Sequence, residues 1–121
     1  MNKPNLAGRR ILVVEDDFFL CLDICLQIEN YGGVVVGPAP TLDSGYALFQ
    51  KKPLPDGSIL NIRLGSELVY PLADNLLAAG VPVIFASSED KASIPEKYAS
   101  IPLVPKPINM MIVAEKLFSN P

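Results

Sequence analysis

The chain has 121 residues, half of them apolar, and a formal net charge of −3, which suits one globular domain with a sizeable core and leaves no length for a second module. Histidine is absent, so the commonest general base and metal ligand is missing, and zinc hydrolases and serine or cysteine triads drop out. No basic run exceeds Arg9-Arg10 or Lys51-Lys52, so the chain lacks the positive footprint that nucleic-acid binding needs.

Apolar runs fall well short of the ~20 residues that span a bilayer, and Met1 to Arg10 has no signal-peptide core. A cytoplasmic protein with no membrane partner is the expectation. Ile11-Leu12-Val13-Val14 reads as a buried strand that stops at Glu15-Asp16-Asp17. The next pattern predicts a helix capped by Asp17, running to about Tyr31 and ended by Gly32-Gly33. Within it Cys21 and Cys25 share a stripe with Phe18, Leu22 and Ile28, opposite Asp23, Gln27 and Asn30. Two thiols cannot complete a zinc site, so they read as small buried hydrophobes.

Val34 to Val36 is a second buried strand, closed by Gly37-Pro38. Thr41 should cap a helix through about Lys52, with Leu42, Tyr46 and Phe49 inward. Ser58 to Leu64, set between Asp56-Gly57 and Gly65-Ser66, has the composition of a fully buried strand. One polar residue, Asn61, interrupts it, and a buried amide needs partners. A helix starting at Pro71 runs through Ala78 and stops at Gly80. Val81 to Ser87 is a fourth buried strand, and residues 88–100 leave room for a turn or a short helix only. Leu103-Val104 lies between Pro102 and Pro105, which demote it to a sheet edge. Asn109 caps a last helix to about Ser119.

Strands apolar on both faces, alternating with helices, call for a parallel sheet covered on both sides. The expected architecture is a flavodoxin-like, doubly wound α/β sandwich with five strands in the order 2-1-3-4-5 and a shortened fourth helix. Ligands bind such sheets beyond the strand C-termini. Those ends bring Glu15 and Asp16, Asn61, Ser87 and Lys106 onto one shallow pocket, with Asp17 beside it. Two acids for Mg²⁺, a hydroxyl and a lysine suit phosphoryl transfer onto a carboxylate. The carboxylate itself is missing, because Asn61 stands where it would be.

Four motifs in order, Ile11-Leu-Val-Val-Glu-Asp-Asp17, Ile59-Leu-Asn-Ile-Arg-Leu64, Val81-Pro-Val-Ile-Phe-Ala-Ser87 and Leu103-Val-Pro-Lys-Pro107, resemble the response-regulator receiver domain of two-component signalling. The resemblance covers Arg10 to Phe118 and implies a stand-alone signalling module rather than an enzyme. It implies a Mg²⁺ site from Glu15, Asp16, the position of Asn61 and the Arg63 backbone carbonyl. Ser87 matches the switch hydroxyl, and Lys106, in a cis bond to Pro107, matches the family lysine. The implied partners are a histidine kinase, a phosphotransfer protein or another receiver. Leu103 departs from the pattern, since the family usually carries an aromatic three residues before the lysine.

Three readings of Asn61 stay open at this point: a native receiver that signals without phosphorylation, an engineered Asp→Asn lock, or an amide that serves only to bond the acids. The competing class is a flavodoxin-like or phosphatase-like protein using the acidic cluster for metal. Against it, acids stand where a flavodoxin phosphate loop needs Ser/Thr, and Asp16 between Glu15 and Asp17 breaks the Asp-x-Asp spacing of haloacid-dehalogenase-type phosphatases. On the last helix Met110, Val113, Ala114 and Leu117 form one apolar stripe, and Met111, Ile112 and Phe118 a second. The second stripe is covered either by the fold or by a partner such as a homodimer mate.

Overall fold

Residues 5–118 are described by a computed structural model. The elements follow as β1 (Arg10–Val14), α1 (Phe18–Asn30), β2 (Val34–Ala39), α2 (Leu42–Gln50), β3 (Gly57–Asn61), β4 (Arg63–Leu64), β5 (Glu67–Leu68), α3 (Tyr70–Ala78), β6 (Val83–Ser87), β7 (Leu103–Pro105) and α4 (Met110–Phe118). Five strands form one parallel sheet in the order β2-β1-β3-β6-β7, while β4 and β5 make a separate antiparallel hairpin. Counting the sheet strands alone, this is the 2-1-3-4-5 order that the sequence predicts.

Successive side chains of a strand point to opposite faces, and the core divides accordingly. Leu12, Val14, Leu60 and Phe85 pack under Leu42 of α2 and Leu72 and Leu76 of α3. Ile11, Val13, Ile59 and Ile84 pack under Ile24 and Ile28 of α1 and under Met110, Val113 and Leu117 of α4. Leu6, ahead of the first strand, is fully buried in that second layer, which the sequence reading left out. The expected caps are present: Asp17 accepts from the Leu20 amide, and Thr41 and Ser44 form a reciprocal capping box.

Several sequence expectations need correction. The second strand is an edge strand with most of its residues exposed or half-buried, and Val34 is 50% exposed. Its Val-Val-Val run suits a buried strand equally well, so composition could not separate the two. The stretch Ser58 to Leu64 is not one strand. The sheet strand ends at Asn61, and Arg63-Leu64 turns away to pair with Glu67-Leu68. Gly65, at φ +63°, takes the left-handed turn conformation that closes this hairpin.

On α1 the buried stripe is Cys21, Ile24 and Ile28, whereas Phe18 and Leu22 face outward. Residues 88–100 hold two single 3₁₀ turns, Lys91–Ser93 and Glu96–Tyr98, and no α-helix. The first stripe of α4 is buried as expected; of the second, Met111 and Ile112 are exposed and Phe118 lies half-buried, 4.3 Å beneath the Arg9 guanidinium. Ser119 lies outside the described residues. No helix among the described residues is long and apolar enough to cross a membrane.

Phe85 is fully buried in the central strand pair. Phe85→Ala should lower the unfolding free energy by about 3–5 kcal/mol, read from the midpoint and slope of urea unfolding.

Candidate functional site

The sheet register brings the strand ends together. Val14 of β1 pairs with Leu60 of β3, Asn61 of β3 with Ala86 of β6, and Ser87 of β6 with Pro105 of β7. The residues just beyond these pairs therefore meet at one rim. Glu15, Asp16, Asn61, Ser87 and Lys106, all proposed from strand ends in the sequence, occupy this rim.

Asn61 is the hub. Its Nδ2 donates to Glu15 Oε2 at 3.0 Å, to Asp16 Oδ1 at 3.0 Å and to the Arg63 backbone carbonyl at 2.8 Å. Its Oδ1 accepts from Lys106 Nζ at 3.2 Å. Glu15 is 2% exposed, and its Oε2 also accepts from the Asp17 backbone amide at 3.1 Å. Glu15 Oε1 accepts no aligned hydrogen bond, yet it lies 3.0 Å from Lys106 Nζ as an ion pair. Charge attraction at that range needs no exact alignment. Asp16 Oδ2 accepts from the Gly65 amide at 3.1 Å, which ties the β4–β5 hairpin to the rim.

Two supporting contacts were not visible in the sequence. Gln27, expected on the open face of α1, donates to the Ile108 carbonyl at 2.9 Å and accepts from the Met110 amide at 2.9 Å. It thereby anchors the segment just after Lys106 and the first turn of α4. Arg63 Nε donates to Glu89, and Ser93 donates to the other oxygen of that carboxylate. These two hydrogen bonds, the Arg63 one first, hold the Glu89 carboxyl below its ordinary range. Ser87 Oγ accepts from the Glu89 amide at 2.9 Å, so the hydroxyl is tied to the same loop. A helix-spaced pair such as Asp23 and Gln27 signals a possible contact, but a residue 81 positions away cannot be read from spacing.

Beside the acids lies an apolar face. A cleft of about 260 Å³ runs from Glu15 and Asp16 past Phe18 and Cys21 to Pro38 and Pro40. A second, of about 210 Å³, continues along Phe18, Cys21, Leu22, Cys25 and Pro38. Phe18 is 71% and Phe19 79% exposed, with Leu22 and Leu26 about half exposed. The thiols are free, and burial, followed by the neighbouring Cys21 thiol, pushes Cys25 up to about 12. That is the behaviour of structural rather than reactive cysteines.

The resemblance to receiver domains implies a divalent cation. The donors present are chemically right for a hard ion: two carboxylates and a backbone carbonyl, all oxygen. Their point of convergence, however, is held by the Asn61 amide nitrogen. Among the described residues no group of three or more Asp, Glu, His or Cys side chains stands together to hold a metal. The oxygen set fits, and the residue at its centre presents a donor where an ion needs an acceptor.

Comparison with solved structures finds the chain similar in fold to response regulators. The chain is similar to SdrG from Sphingomonas melonis Fr1, with a TM-score of 0.78 and 28% identity over 93% of each chain. It is similar to the response regulator PhyR from Brucella abortus, with a TM-score of 0.76 and 26% identity over 95% of this chain; it spans 50% of that protein's length. A response regulator from Burkholderia pseudomallei, solved with a phosphorylated aspartic acid, a calcium ion and citrate, shares the fold at a TM-score of 0.79 and 15% identity. No protein-family model and no curated protein matches the chain.

Removing the ammonium would strand a buried carboxylate. Lys106→Met should lower stability by on the order of 3 kcal/mol in chemical denaturation. Adding Glu15→Gln to it should recover part of the loss. A near-neutral single variant would mean that the pair is not held as it stands here.

Proposed function

We propose, from the premise that this chain has the receiver-domain fold of response regulators, that it works as a binding module in two-component signalling whose site cannot be phosphorylated at the acceptor position. The observation that carries this is Asn61 at the end of β3, bonded to Glu15, Asp16 and Lys106. An aspartyl phosphate is a mixed anhydride, and a carboxamide offers no carboxylate oxygen from which to form one. Glu15, Asp16, Ser87, Lys106 and the Arg63 carbonyl are the remaining parts of the site under this reading. When bound, Mg²⁺ supplies charge neutralisation for phosphoryl oxygens. Lys106 orients the group at position 61, and the Ser87 hydroxyl stands ready to bond an oxygen placed there.

The partner reading is a histidine kinase or phosphotransfer protein, docking on the outer face of α1. Phe18, Phe19, Leu22 and Leu26 are exposed there, an unusual concentration of apolar surface. Asp16, Asp17, Asp23 and Glu29 surround it, and α1 contains no Lys or Arg. An apolar strip with an acidic rim favours a partner helix carrying apolar residues flanked by Lys and Arg. Another receiver or a second copy of this chain is the weaker fit, since the chain is itself acidic. The exposed Met111 and Ile112 of α4 are the place for a homodimer contact.

Acetyl phosphate and Mg²⁺ should leave this chain unmodified in an intact-mass spectrum, whereas Asn61→Asp should gain one phosphoryl group. An Asn61→Asp chain that stays unmodified overturns the reading of the site. For the surface, Phe19→Glu should keep the thermal midpoint nearly unchanged, because the ring is exposed, and abolish co-purification with a cognate kinase helix domain. Retained binding would move the contact elsewhere.

A further inference from the structure

The amide of Asn61 has two N–H protons and three acceptors within 3.0 Å: Glu15 Oε2, Asp16 Oδ1 and the Arg63 carbonyl. One proton is therefore shared between two oxygens. Turning the amide over would set its oxygen against those three acceptors and its protons against the Lys106 ammonium. The hydrogen-bond network thus fixes the orientation. Every carboxylate oxygen at the rim already has a partner from the chain itself. Glu15 Oε1 has Lys106. Glu15 Oε2 has Asn61 and the Asp17 amide. The Asp16 oxygens have Asn61 and the Gly65 amide.

We propose that the Asn61 carboxamide takes the place of a divalent cation, holding Glu15, Asp16 and the Arg63 carbonyl together as a donor, so that an ion must displace the amide rather than fill a gap. The donor set alone would attract a hard cation, since two carboxylates and a carbonyl are its preferred ligands. Here an ion has first to break three hydrogen bonds. It can then recruit Asn61 only through Oδ1, which brings the amide protons towards Lys106. The carboxylate oxygens of Glu15 and Asp16 are consequently all bonded without metal, with one net negative charge left against Lys106, and the folded state should be indifferent to Mg²⁺. The inference deepens the reading of the same site, but it concerns ion binding and not phosphorylation.

Thermal unfolding with and without millimolar Mg²⁺ tests it on three chains: the protein itself, Asn61→Asp and Asn61→Ala. A ligand that binds only the folded state raises the midpoint. The midpoint of the unchanged chain should not move. Both variants should melt lower in the absence of Mg²⁺ and recover by several degrees in its presence. Asn61→Ala covers the case in which Asn61→Asp does not fold without the ion. Mn²⁺ as a paramagnetic probe gives a second reading: the Glu15 and Asp16 side-chain resonances and the backbone amide at position 61 should broaden at much lower Mn²⁺ in Asn61→Asp than in the unchanged chain. Equal Mg²⁺ stabilisation of all three chains, or equal Mn²⁺ sensitivity, overturns the proposal. So does the absence of any stabilisation in both variants, because the acids would then hold no ion once the amide is gone. An Asn61→Asp chain that gains Mg²⁺ stabilisation without accepting phosphate would sink the functional reading and leave this one standing.

Discussion

Glu15 is carried into the interior by the strand that precedes it, and a carboxylate 2% exposed has to find donors inside the protein. Much of the local architecture answers that demand. Lys106 reaches it from just beyond β7, Asn61 from the end of β3, and the backbone of Asp17 from the residue before α1. Three separate chain segments are thereby fixed relative to one another at the sheet rim. Gln27 then sets the segment after Lys106, and Asp16 sets the hairpin through Gly65. One buried charge thus places most of the loops on this side of the sheet.

Strand ends were the legible part of the site. Apolar runs that stop abruptly at Glu15 and Ser87 reveal where those strands leave the sheet, Asn61 marks the polar break in a third, and parallel topology then brings the ends together. What periodicity could not reveal was direction beyond the strand. Ile59 to Leu64 keeps a strand-like composition through Arg63, yet the chain turns at Asn61 because its amide bonds the Arg63 carbonyl two residues on. Likewise the α1 pattern is apolar nearly all round, so hydrophobicity could not say which side faces the sheet. Cys21, Ile24 and Ile28 face it, and Phe18 and Leu22 do not. Gln27 illustrates the remaining limit, since its partners lie in a distant segment.

The segment between β6 and β7 also departs from what its resemblance implied, in a way the packing explains. Leu103 supplies no aromatic, but Tyr98 from the second 3₁₀ turn stacks on Tyr70 at a centroid distance of 4.4 Å, and both meet Phe85 edge-on. The Tyr98 hydroxyl donates to Asp74 of α3 at 3.1 Å, so a buried polar tip is satisfied. With no α-helix to cover this part of the sheet, an aromatic cluster does so instead. Aromatic pairs held by packing and by a hydrogen bond to a neighbouring helix have little freedom to turn.

These features together bear on how such a module can signal. On the proposed reading, an acceptor position that cannot take phosphate removes the usual trigger; the Ser87 oxygen accepts from the Glu89 amide, which ties it to the following loop, and the aromatic cluster fixes that loop. Arg63 and Glu89 add a strut between the hairpin and that loop. An exposed pair of this kind contributes little stability alone, yet it joins segments that the buried network already positions. A site closed by its own side chains has no empty place whose filling would shift a population of states. On the proposed reading, the surface offered to a partner is therefore the same at all times, and regulation has to come from the partner's abundance or its own modification. The apolar, acid-rimmed face of α1 beside Glu15 and Asp16 fits such constant recognition, because its exposure depends on nothing that the site must first bind.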